Sequence, residues 1–196
     1  MTNRKKLNKK GLFFLVGSTV LVIILIFVSV NLCFHFDPLR KRPDEIVVYK
    51  YGTTYTLTPA DEAFQVLYHQ LRGAWEVKWN EQLALDSYAD NYLLGYAEYF
   101  FDSGLAVQVK YDQTQTTKGA KTVGSKYDSL IFILDTPKQL PSDISEIDRN
   151  AIMDLPFVEN EYPVYYKNKN ENGFSAFIHY NYPQEAKDYI LQNFND

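Results

Sequence analysis

Apolar and polar positions follow three different periods along this chain, and each predicts a different element. From Gly11 to Val30 there is no period at all: twenty residues carry no charged group, and only Ser18, Thr19 and Ser29 are polar. At 1.5 Å rise per residue such a run spans about 30 Å, the thickness of a bilayer's hydrocarbon core. A helix satisfies its own backbone polar groups, so it can lie in lipid. The pattern predicts a transmembrane signal-anchor helix over 11–33, preceded by a basic tail over 1–10. A cleaved signal peptide would have a shorter apolar run and a small-x-small cleavage site, whereas Asn31-Leu32-Cys33-Phe34-His35-Phe36 follows here. Cys33 is read as an ordinary residue at the membrane edge, because Leu32 stands where a lipidation site would place Gly or Ala.

Downstream, residues 34–43 carry Pro38 and Pro43 around Arg40, Lys41 and Arg42, and are expected to form a stiff polar tether. A single domain is expected over 44–196. Ile46 to Tyr51 and Tyr55 to Leu57 read as a β-hairpin about a Gly52-containing turn. Thr58-Pro59-Ala60-Asp61 offers a capping hydroxyl, a proline at the first helical position and an acid near the positive end of the dipole. Phe64, Leu67, Tyr68, Leu71 and Trp75 then fall on one stripe of a 3.6-residue period, predicting a helix that Gly73 ends. Alternation at Trp75, Val77 and Trp79 fits a strand, and 80–91 has no clear period.

Tyr92 to Phe101 and Leu105 to Tyr111 are rich in β-formers and read as a second hairpin about Asp102-Ser103-Gly104. Asp112 to Lys126 is polar and expected to be a loop. Leu130 to Leu134 is apolar on both faces, as in a central strand covered on each side. A short helix over Ile144, Ile147 and Ala151 is expected to stop at Pro156. Tyr162 to Lys167 and Phe174 to Asn181 predict a third hairpin. Pro183 opens a last helix with Ala186, Tyr189, Ile190 and Phe194 on its apolar side. Few strand–helix–strand alternations occur, so the fold class is α+β: a mostly antiparallel sheet with about three helices packed on one face.

Charge sets the orientation and removes one class of partner. Arg4, Lys5, Lys6, Lys9 and Lys10 precede the apolar run, against Arg40, Lys41 and Arg42 after it, and a long C-terminal domain is translocated largely regardless of its own charge. The expectation is an N-terminus in the cytoplasm and an extracytoplasmic domain at the cell membrane, with the bilayer as first partner. Residues 44–196 hold 12 basic and 23 acidic side chains, a net of −11. Nucleic acid recruits basic patches and is excluded as a partner. That stretch contains no Cys, and it is long enough to bury a core without disulfides. Together with the lysine-rich tail, this fits the surface of a Gram-positive bacterium.

Candidate chemistry is sparse. His69 and His179 lack partners nearby in sequence, and Asp143, Glu146 and Asp148 lack the glycine and alternating oxygen ligands of a calcium loop. There is no Gly-x-Ser-x-Gly elbow, Ser-x-x-Lys or glycine-rich phosphate cradle. No catalytic, cofactor-binding or metal-binding residue is therefore assigned, and no cofactor is expected. Sixteen Tyr and thirteen Phe fit half-buried sheet positions, and tyrosines also recur at recognition surfaces. The function expected is a noncatalytic binding or regulatory domain, held at the membrane beside an envelope or membrane protein. The alternatives are a cell-envelope hydrolase using dispersed carboxylates and a structural spacer.

Overall fold

The computed structural model describes residues 16–26, 38–74, 92–116, 126–154, 162–168, 170 and 174–194. They fall in two compact units, one of 1–36 with 118–123 and one of 37–117 with 124–196. In the first unit, residues 16–26 form helix α1. Its eight large apolar side chains are all between 49% and 59% exposed. The rest of the expected span, 11–15 and 27–33, lies outside the described residues. Among the described residues no helix is long and apolar enough to cross a membrane.

The second unit is α+β. Its elements are β1 (Glu45–Lys50), β2 (Thr53–Leu57), α2 (Glu62–Gly73), α3 (Tyr92–Ser103), β3 (Leu105–Thr116), β4 (Lys126–Asp135), α4 (Glu146–Asp154), β5 (Tyr162–Lys167), β6 (Phe174–Tyr180) and α5 (Gln184–Asn193). Six strands run in the order β2-β1-β3-β4-β5-β6, and every neighbouring pair is antiparallel. The β1–β2 hairpin forms as expected. Its turn is Tyr51-Gly52, with φ of 47° and 101°, the left-handed pair that a two-residue hairpin requires. Between β5 and β6 the register shifts at Pro163, a residue with no N–H to give the ladder.

Strand alternation sorts the core into two faces. Ile46 and Val48 on β1 share a face with Val107 and Val109 on β3 and with Leu130 and Phe132 on β4. Phe64, Leu67 and Leu71 of α2 are fully buried, as the apolar stripe predicts. α2 packs against α5, and Phe194 at the end of α5 meets this face through a ring contact with Tyr55, centroids 5.0 Å apart. The opposite face gathers Ala106, Ile131, Ile133 and Tyr165 of the sheet with Ala97 and Phe100 of α3 and Ile152 of α4. Helices therefore cover both faces, and the expected one-sided packing is corrected. The five apolar residues of β4 from Leu130 to Leu134 owe their two-sided character to this arrangement.

Four further expectations change. Tyr92 to Phe101 is helix rather than strand. Aromatic residues there satisfy both periods, and intrinsic preferences separate helix from strand by only about 1 kcal/mol. Burying Phe100 completely contributes about 1.5–3 kcal/mol, so packing decides. The expected hairpin loop becomes a helix–strand junction at Gly104, where a Cβ would lie 2.9 Å from the Phe100 carbonyl and 3.2 Å from that of Asp135. Next, α2 starts at Glu62, not Pro59. The Asp61 carboxylate turns back to accept the Thr58 N–H at 2.6 Å and its hydroxyl at 2.9 Å, closing a separate turn before the helix. These two bonds hold Asp61 below the usual carboxylate range.

On α4, Ile147 is 81% exposed while Ile152 is buried. Ser145 is the reason: its hydroxyl accepts the Asp148 N–H at 3.1 Å and donates to the Asp148 carboxylate at 2.7 Å, a reciprocal cap that starts the helix after Ile144. The expected short helix forms, and of the residues expected to mark it Ile144 packs against the core while Ile147 faces solvent. Lastly, β3 continues to Thr116, shortening the expected loop from its start. The readings made for Trp75 to Trp79, for 80–91 and for Pro156 fall outside the described residues.

Residues 38–43, expected within the tether, pack onto the second unit. Leu39 is fully buried and Pro43 is buried. The Pro38 carbonyl accepts the hydroxyls of Tyr111 at 3.2 Å and Tyr127 at 3.0 Å, and the Leu39 carbonyl accepts that of Tyr68 at 2.9 Å. Arg42 stands 5.4 Å from the Phe64 ring and donates to the Pro59 carbonyl. Buried phenols need partners, and this strap supplies them.

Candidate functional site

A polar cluster lies where the β1–β2 turn, the end of β4 and α5 meet. Tyr51 adopts the left-handed backbone of the turn, fixed by its N–H donating to the Gly104 carbonyl at 2.8 Å. Its hydroxyl donates to Asp135 Oδ2 at 2.7 Å. The other carboxylate oxygen, Oδ1, accepts the Thr136 N–H at 3.0 Å. Lys187, from α5, places its ammonium 3.4 Å from Oδ2 and 5.9 Å from the Tyr182 ring. Lys138 sits 3.4 Å above the ring of Tyr51, and the Tyr182 hydroxyl donates to the Leu134 carbonyl.

Burial first, then the hydrogen bond and charge of Asp135, push the Tyr51 hydroxyl well above the ordinary phenol range. Tyr182 is raised in the same direction by burial, then by the charges of Asp135 and Asp188. On the α3/α4 face, burial alone pushes Tyr165 up to about 12. All three phenols therefore hold their protons at neutral pH, and Tyr51 and Tyr182 act as donors. A general base or nucleophile needs the opposite arrangement, a group poised to lose its proton or already charged. Asp135 is engaged by a hydroxyl, an amide and an ammonium. The cluster works as a latch joining one turn, one strand end and one helix.

The sign of the pH dependence follows. A phenol whose folded-state value is raised contributes stability that is complete below the unfolded value near 10 and is lost as pH climbs above it. Denaturant unfolding at stepped alkaline pH should show stability falling above about pH 10. The fall should be shallower in Tyr51→Phe, and an unchanged slope in that variant would remove Tyr51 from the latch.

Residues considered from the sequence are dispersed. His69 is exposed on α2, 5.4 Å from the Tyr68 ring, and the His179 side chain lies outside the described residues. Asp143 and Glu146 are exposed, whereas Asp148 is held below the usual carboxylate range by the Ser145 hydroxyl and then by Tyr96. Among the described residues no group of three potential ligands is placed to hold a metal ion. The latch was not legible beforehand, since its members are far apart in sequence; the one local signal was Tyr51 beside Gly52 in a tight turn. Compared with known proteins, the chain matches no family model, no curated sequence and no solved structure.

Proposed function

We propose that this chain is a single-pass membrane protein whose C-terminal domain acts outside the cytoplasm as a noncatalytic binding or regulatory module. The observation that carries the reading is α1, where eight large apolar side chains from Val16 to Ile26 are about half exposed. Each, already half shielded, would gain roughly 1 kcal/mol on leaving water, and lipid around a longer helix over 11–33 is the environment that accepts them. The five basic residues before the run and the size of the following domain favour a cytoplasmic N-terminus. Tethering confines the domain near the membrane and raises its effective concentration toward membrane or envelope partners. The envelope of a Gram-positive bacterium is the proposed setting.

Binding distributes function over a surface, so single Asp→Asn or Glu→Gln changes at exposed positions should leave both folding and the cellular phenotype nearly intact. Protease added to intact cells should remove the domain. A carboxylate substitution that abolishes activity in a normally folded protein would replace the binding module with a hydrolase, and protection in sealed cells would reverse the orientation.

A further inference from the structure

We propose that β2 is a self-association edge, at which a second copy of this chain adds its own β2 antiparallel to form one continuous sheet. Among the described residues, β2 is the last strand of the sheet and pairs only with β1. The two-residue turn makes Lys50 and Thr53 the closing hydrogen-bonded pair, so Thr53, Tyr55 and Leu57 direct their backbone groups to β1. Those of Thr54 and Thr56 point outward, and both residues are exposed. Outward N–H and C=O groups at this spacing recognise one chemistry, an extended strand.

Edges are usually guarded by charge, proline or a bulge. β2 has none of these: residues 51–60 are uncharged in a stretch of net −11, and the β1–β2 register is unbroken. Two copies can therefore meet here without opposing like charges. A two-fold axis through Tyr55 sets Thr54 opposite Thr56 of the second copy, and Thr56 opposite its Thr54. That pairing makes four backbone hydrogen bonds and two cross-strand Thr–Thr contacts, with the two Tyr55 residues facing each other on the α2/α5 face.

Symmetry supplies the reason for choosing a second copy. An axis perpendicular to the sheet leaves each face common to both copies, and Pro38 and Leu39 are held by Tyr68 of α2 and by Tyr111, whose position on β3 continues the face of Val107 and Val109. Both chains thus enter their domains from the same side, as two anchors in one membrane require. This last step rests on the anchored reading; the edge chemistry does not.

Disulfide trapping tests the register on the full-length chain in detergent micelles, with Cys33→Ser as background. Oxidation of Tyr55→Cys should give a dimer band roughly tenfold above that of an exposed Asp143→Cys control, because a pair on the axis meets the distance limits of a disulfide. Should Tyr55→Cys fail to fold, a mixture of Thr54→Cys and Thr56→Cys chains should crosslink while either alone stays at background. Adding Thr54→Pro to the Tyr55→Cys chain removes an outward donor but no β1–β2 bond, and should abolish the band. Background-level crosslinking from the folded cysteine chains, or a band indifferent to Thr54→Pro, overturns the proposal. Flotation of the same chain with phosphatidylcholine vesicles reports on the anchor separately, so either reading can fail alone.

Discussion

Phe100→Ala is expected to cost about 3–5 kcal/mol, the range for emptying a fully buried phenylalanine site. Phe100 is 0% exposed and meets Ala106, Ile131, Ile133, Ile152 and Tyr165 in the core beneath α3 and α4. Its neighbours Tyr99 and Phe101 are only half-buried, and Ser103 fastens the helix end by donating to the Tyr99 and Gln139 carbonyls. Truncating Glu98, exposed on the same helix, should change stability by less than about 0.5 kcal/mol. A strand would place Glu98 and Phe100 on the same face, so comparable losses at both would contradict the helix. Denaturant unfolding of the two variants decides it.

A comparable loss is expected from a residue outside every strand and helix. Leu39→Ala should destabilise the domain by about 2–5 kcal/mol, since its side chain is fully buried. Beginning the chain at Asp44 should do more. It removes Leu39 together with carbonyl acceptors of Tyr68, Tyr111 and Tyr127, and depriving a buried hydroxyl of an acceptor costs about 1–3 kcal/mol. Against a total of about 5–15 kcal/mol for an ordinary domain, a chain starting at Asp44 should be largely unfolded while one starting at Asp37 is not. Equal stability of the two would show that the strap contributes nothing.

Elements that answer to a local period were legible in the sequence. The stripe Phe64, Leu67, Tyr68 and Leu71, the two-sided run of β4 and the Gly52 turn each express a rule that operates within a few residues. Tyr92 to Phe101 reads as strand because aromatic residues suit both periods, and the helix is selected by Ile131, Ile133 and Tyr165, which are distant in sequence. The start of α4 turned on the Ser145–Asp148 bond, a cap that the isoleucine spacing obscured. Pro38, Arg40, Lys41 and Arg42 look like a solvated tether by composition, yet Leu39 between them fills a core site and the two carbonyls accept three phenols. The latch at Asp135 depends on contacts across 84 positions to Tyr51 and 52 to Lys187, beyond any local pattern.

Membrane anchorage is tested most directly by washing membranes that carry the full-length chain with high salt and then alkaline carbonate, beside a chain beginning at Asp37. The anchored reading predicts that the full-length protein stays in the pellet through both washes while the shorter chain is soluble and folded. Release of the full-length protein by carbonate would contradict it.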